Sequence, residues 1–214
     1  MQFGVLHQES YSRGQLLLRA FFGIFYIIIP HMFILYFLMI AAYFTNICAF
    51  WVILITGKYP RGLFNFHLNL HRWTLRLQAR MLNLSDGYPS FGLSATDPHT
   101  KIEVECPEKV SRLSMLARVC FGFFYVIIPH GFILMFVMMG VYFVNIIAFW
   151  AILIVGKYPK GLHTFVVGAL RWQFRVGLYL SGMSNTYPPF TGDGDEADFN
   201  DGKFVNNTEV LDQF

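Results

Sequence analysis

The sequence predicts an all-α integral membrane protein made of two tandem repeats, each a transmembrane helical hairpin followed by a basic interfacial amphipathic helix. Three observations predict it. Ala20–Thr56 and Val119–Val155 each run for 37 residues without a charged side chain, His31 and His130 aside. A membrane-span candidate needs about 18 apolar residues, so each run has room for two. The chain also repeats itself. Shifted by 99 positions, Ser12–Phe91 and Ser111–Phe190 are identical at 41 of 80 aligned pairs, which establishes an internal duplication. Lastly, each run ends in a Gly-Lys-Tyr-Pro turn and passes into a basic stretch of helical period. The composition agrees: 55% of residues are hydrophobic and 14% charged, against about 25% charged in soluble domains.

The segment before the first run is polar and ends in Arg13. It carries no small-residue cleavage site, and the apolar run that follows is far longer than a signal peptide's, so no cleaved leader is expected.

The first run contains Ile-Pro-His at Ile29–His31. Its crossing number follows from charge. With one span per repeat, one of the two basic stretches would face the outer side, against the positive-inside rule. With two spans, all 16 Lys and Arg lie on one face, and the repeats are related by an axis along the membrane normal. A hairpin is therefore expected, its apex either at Pro30-His31 or near Ile40-Ala41. An interfacial or re-entrant first helix is the competing form.

"GKYPRGL" at Gly57–Leu63 and "GKYPKGL" at Gly156–Leu162 follow. A phosphate loop would need another Gly separated by four residues from the Gly-Lys pair, and a Ser or Thr after the Lys. Tyr59 and Tyr158 stand there instead, so these are helix stops in which Gly ends the helix and Pro60 or Pro159 prevents its return.

In the next stretch Arg72, Arg76 and Arg80 fall on one helical stripe, with Leu70, Trp73, Leu77 and Met81 beside it. Such a helix lies in the headgroup plane, and each basic residue near an anionic leaflet contributes about 1 kcal/mol. Lys58, Arg61, Arg72, Arg76, Lys157, Lys160, Arg171 and Arg175 are the candidate lipid-headgroup ligands. Tyr59, Trp73, Tyr88, Tyr158, Trp172 and Tyr187 are the expected interfacial anchors. The repeats close on "YPSF" and "YPPF".

Residues 92–110 form a polar linker between the units 12–91 and 111–190. Residues 191–214 form an acidic tail carrying seven carboxylates against Lys203; without it the body holds 15 basic and 6 acidic residues. Its "DGDGDEAD" lacks the spacing of a calcium loop and reads as a solvated tail, for which docking on a partner is the expected role.

His31 and His130 occupy equivalent places in the runs. Intramembrane ionisable groups are candidates for a cofactor or a proton relay, but one His per repeat with no carboxylate nearby favours capping of carbonyls freed by the proline. Asn46 and Asn145 read as interhelical hydrogen-bonding groups. His67, His71 and His163 do not match across the repeats and read as surface residues. Cys48, Cys106 and Cys120 have no paired spacing, so neither a disulfide nor a metal site is expected. No catalytic constellation is present, and no cofactor or nucleic acid is implied.

The motifs "IIPH", "FWAILIVGKYPKGL", "RWQFRVGLYL" and "YPPF" resemble a bacterial family of small membrane proteins known as a domain of unknown function. That resemblance implies a bacterial inner membrane and a two-copy architecture, and brings no activity. Repeat one departs from the pattern at Ser90 and Arg80, where repeat two has Pro189 and Tyr179. The function expected is that of a non-enzymatic, multi-pass inner-membrane subunit with cytoplasmic termini that stabilises a larger membrane protein complex or a homo-oligomer. The alternative is binding or handling of anionic phospholipids; a His-based cofactor or proton relay ranks third.

Overall fold

The computed structural model describes residues 1–194. The chain from residue 195 onward, which holds most of the acidic tail and its expected docking role, lies outside the described residues.

Each apolar run is one helix and not a hairpin. α1 (Arg13–Gly23), a π-helical turn (Ile24–Ile28) and α2 (Ile29–Thr56) join into a single 44-residue helix. α4 (Arg112–Gly122), a second π turn (Phe123–Ile127) and α5 (Ile128–Val155) form its counterpart. The hairpin expectation fails because each helix takes up its own breakers without a turn, Pro30 in the first repeat and Pro129, Gly131 and Gly140 in the second. A π turn just before the proline absorbs it by widening the helix locally instead of reversing the chain. Ser12 and Ser111 cap the starts, their hydroxyls accepting from the amides of Gln15 (3.4 Å) and Ser114 (3.3 Å). Gly57 (φ 71°) and Gly156 (φ 76°) close the ends in the left-handed conformation that glycine adopts at no steric cost.

Both helices are long and apolar enough to cross a membrane, and only 17% and 11% of their most apolar stretches are buried. What is buried forms one stripe. Leu16, Arg19, Gly23, Ile27, His31, Leu35, Ala42, Ala49 and Ile53 follow one another at steps of three, four or seven residues. Around it Phe33, Phe37, Tyr43, Phe44 and Trp51 are exposed.

The basic stretches form α3 (Arg61–Met81) and α6 (Lys160–Leu180). They form a packed middle layer: α3 packs between α2 and the strand β2 (Thr100–Glu103), and α6 between α5 and the strand β1 (Gln2–Val5). They meet each other where the His71 and Phe174 rings lie 5.6 Å apart. β1 and β2 pair antiparallel, Gln2 opposite Glu103 and Val5 opposite Thr100, so an all-α description is incomplete. Phe3, Val5 and Ile102 point from this small sheet into the core.

The start of each long helix meets the end of the other. The Tyr11 amide donates to the Gly156 carbonyl (2.9 Å) and the Val110 amide to the Gly57 carbonyl (2.8 Å). Arg13 and Arg112 donate across to the carbonyls of Ile154 and Ile55, both at 2.8 Å, satisfying last-turn oxygens that a helix leaves open. Leu16 and Ile53, near opposite ends of one helix, thus share a single buried core with Met115 and Ile152. Cys48, Cys106 and Cys120 are free.

Candidate functional site

The residues quoted as motifs gather into two equivalent clusters around the π turns. A proline at position 30 has no amide to offer the carbonyl of Tyr26, its partner in α register. The Tyr88 hydroxyl donates to that carbonyl at 3.2 Å, and in repeat two the Tyr187 hydroxyl donates to the Tyr125 carbonyl at 2.9 Å. The histidine after each proline is fully buried. The Trp73 indole N–H donates to His31 Nδ1 (2.8 Å) and the Trp172 indole to His130 Nδ1 (3.0 Å). An indole can only donate, so Nδ1 accepts and the proton of the neutral ring sits on Nε2. In repeat two His130 Nε2 lies 3.1 Å from the Tyr187 hydroxyl, completing a chain from indole to imidazole to phenol to backbone. In repeat one His31 Nε2 is buried without a hydrogen-bond partner among the described residues. Phe91 and Phe190 close the clusters, Phe190 stacked on His130 at 4.0 Å between ring centres. These contacts make the histidines packing and hydrogen-bonding elements. Among the described residues no group of three or more His, Cys, Asp or Glu is placed to hold a metal ion.

The arginine stripe has a different use from the one the sequence suggests. Arg76 is 2% exposed and donates to three backbone carbonyls, those of Ser90 (3.2 Å), Ala95 (2.6 Å) and Gly92 (2.6 Å). Arg72 donates to the Ile102 carbonyl (3.0 Å) and to Asn69 (3.0 Å). Arg80 pairs with Asp97 at 2.5 Å and also reaches the Ser85 hydroxyl. Burial works against the charges of Arg76 and Arg80, and the Asp97 carboxylate offsets it. In repeat two Arg171 donates to the carbonyls of Gly192 (2.7 Å) and Phe3 (3.1 Å), and Arg175 to that of Asp193 (2.9 Å). Arg72, Arg76, Arg80, Arg171 and Arg175 therefore hold a polar layer, made of the two strands and the segments at residues 90–97 and 192–193, onto the middle layer. Of the candidate headgroup ligands, Lys58, Arg61, Lys157 and Lys160 face solvent, at the entrances to these two helices.

The expected anchors divide in the same way. Tyr59, Trp73, Tyr158 and Trp172 are buried, while Tyr88 and Tyr187 are exposed at 47% and 40%. Burial pushes the Tyr59 and Tyr158 phenols well above their ordinary pKa. His67 and His163 are buried rather than on the surface, and burial pulls His71 and His163 down to about 4. Asn145 lies half buried in α5 and accepts from Asn83 Nδ2 across the repeats at 3.0 Å. Asn46 is also half buried, but the residue matching Asn83 is Gly182, which has no side chain to reach it.

The clusters at the helix starts escaped sequence reading. Arg19 is buried and donates to Asn83 (3.2 Å), the Ser85 carbonyl (3.3 Å) and Asp86 (3.1 Å). Arg118, in the matching place, donates to the Tyr179 and Ser184 carbonyls and lies 3.9 Å over the Tyr179 ring. Tyr179 stands where repeat one has Arg80. A charged residue recurring at the same place near the start of both long helices was the available signal.

A family model described as a domain of unknown function, DUF4389, matches the chain twice, over residues 13–92 and 114–192. No curated protein and no solved structure matches it.

Proposed function

The chain belongs to the DUF4389 family, whose domain it carries twice, and from that premise we propose a non-enzymatic subunit embedded in the bacterial inner membrane, with its polar layer in the cytoplasm. The reading rests on one observation. Two 44-residue helices expose nearly all of their apolar surface, with Phe21, Phe25, Phe33, Tyr43, Phe124, Phe132 and Tyr142 each more than 60% exposed. An apolar surface of that extent on a soluble monomer would be an association liability; acyl chains cover it at no such cost.

The layering favours a particular placement. A straight 44-residue helix would be about 66 Å long, more than twice the hydrocarbon thickness of about 30 Å. Both ends of each helix join the core that carries the polar layer. Each long helix is thus read as lying inclined in the cytoplasmic leaflet with both of its ends at the cytoplasmic face, and the subunit as presenting its apolar helices to lipid and its polar layer to a partner. This keeps every basic residue on one side, as the positive-inside rule favours.

The test is labelling of single cysteines placed at Ser12, Lys58, Ser111 and Lys157, in a chain whose three native cysteines are replaced, together with copurification from native membranes. A membrane-impermeant thiol reagent added from outside should label none of the four, and all four should react once the membrane is opened. Labelling of Lys58→Cys but not Ser12→Cys from one side would overturn the placement. Recovery of the lone monomer from gently solubilised native membranes would overturn the subunit role.

A further inference from the structure

The two repeats differ where a carboxylate in one is matched by a cavity in the other. In repeat one the Ser12 amide, at the start of the long helix, donates to Asp86 Oδ2 at 2.6 Å. Arg19 Nη2 pairs with Asp86 Oδ1 at 3.1 Å. The carboxylate bridges a helix N-terminus and a buried guanidinium, both of which favour an anion. Repeat two keeps the serine (Ser111) and the arginine (Arg118) but has Asn185 in place of Asp86. Asn185 is neutral and exposed, and its Nδ2 donates to the Lys109 carbonyl at 2.8 Å.

The guanidinium is left incompletely served. Arg118 is 4% exposed and its Nη1 donates to two carbonyls. Its Nε is buried without a partner among the described residues, because Gly182 stands where Asn83 serves Arg19 Nε. No described carboxylate pairs with it as Asp86 does with Arg19 Nη2. Beside it opens a cavity of about 560 Å³, lined by Lys58, Lys109, Arg112 and Arg118 with Ser111 and Asn185 and, among the described residues, by no carboxylate. Lys109 is itself a departure, since repeat one has Ser10 at that place. Relative to repeat one, the site has lost a negative charge and gained a positive one.

We propose that repeat two binds an oxyanion of the phosphate class in this cavity, in the position that repeat one fills with its own Asp86. The Ser111 amide and Arg118 take the places of the Ser12 amide and Arg19, and Lys58, Lys109 and Arg112 balance the larger charge of a phosphate compared with a carboxylate. Free phosphate and the phosphodiester of an anionic lipid headgroup share this chemistry. The second has a route to the site: Lys58 follows directly on the apolar helix, where Ile55 is 72% exposed. The proposal stands whether or not the helices take the path through lipid described above.

The full-length protein in phosphate-free detergent is titrated with inorganic phosphate while its unfolding temperature is followed, and is reconstituted separately into phosphatidylcholine discs with and without phosphatidylglycerol for native mass spectrometry. Asn185→Asp, which supplies the carboxylate of repeat one, is the central variant and removes no packing; Arg118→Gln is informative only if it folds. Wild type should show a saturable response, and Asn185→Asp should raise the starting unfolding temperature and bind roughly tenfold more weakly. The converse Asp86→Asn should create a second response. A response to inorganic phosphate identifies the free anion as sufficient; retained phosphatidylglycerol without that response identifies the headgroup. Silence of wild type in both arms overturns the proposal, as does equal binding by wild type and Asn185→Asp.

Discussion

The Tyr187 hydroxyl stands 2.9 Å from the Tyr125 carbonyl, the oxygen that Pro129 cannot serve in α register. The same relationship joins Tyr88 to Tyr26 below Pro30, and the separation is 62 residues in both repeats. Each proline removes a backbone donor from a helix with few other donors in reach, and the phenol from the end of the repeat restores it. Tyr187→Phe should cost about 1–3 kcal/mol, because a carbonyl and His130 Nε2 both lose their partner. Tyr88→Phe should cost about 1 kcal/mol, because His31 Nε2 has no hydrogen bond to lose. Adding Pro129→Ala should make Tyr187→Phe milder by supplying an amide. A double-mutant cycle by thermal unfolding in detergent measures the coupling; zero coupling would separate the tyrosine from the proline.

Arg76→Lys tests the attachment of the polar layer. One guanidinium fork serves the carbonyls of Ser90, Gly92 and Ala95, and a single ammonium cannot reach all three. The substitution should cost about 2–4 kcal/mol, since the buried carbonyls it abandons are left unsatisfied. Limited proteolysis should then cut between residues 90 and 97, a segment that wild type protects. An unchanged cleavage pattern would mean that the strands and Arg80 suffice to hold it.

These two cases mark how far the sequence could be read. The duplication, the glycine stops after Thr56 and Val155 and the apolar character of the runs follow from composition and spacing. The continuity of the long helices does not: Pro30 reads as a break, and nothing in hydrophobic period signals that a π turn will absorb it. The basic stripe of α3 is ambiguous in kind, because arginines at four-residue spacing face headgroups and backbone carbonyls with the same pattern. Most partners of Arg72 and Arg76 are main-chain oxygens in and beside the linker, which leave no residue-type signature; Arg80 pairs instead with the Asp97 carboxylate. The motifs were visible as separate words, and only the fold shows that Pro, His, Trp and Tyr form one cluster.

Asn83 offers a test of the joint between repeats. It holds φ 56°, donates to Asn145 and accepts from Arg19, while its counterpart Gly182 holds φ 77° with no side chain. Asn83→Gly should lose the two hydrogen bonds but not the backbone geometry. Asn83→Ala should lose both, and be less stable than Asn83→Gly by about 1 kcal/mol. The order of the two unfolding midpoints decides the matter; an alanine variant at least as stable as the glycine one would remove the left-handed requirement from the argument.

His163 should make the fold acid-sensitive. It is 4% exposed, and burial first, with His7 adding like charge, pulls its pKa from about 6.5 down to about 4. The folded state therefore favours the neutral ring, while the unfolded chain takes up a proton at the ordinary pKa. The stabilisation is complete above pH about 6.5 and is lost as pH falls from there towards 4, at up to about 1.4 kcal/mol per unit. Repeat one supplies the control, because the matching residue is Phe64, 2% exposed in the same core. His163→Phe keeps an aromatic ring in place and removes the proton uptake. Its unfolding temperature should vary less than that of wild type between pH 7 and 4.5, a residual slope remaining from His71, which burial holds at about 4 as well. Parallel profiles for the two proteins would show that the charge on His163 is not what acid acts upon.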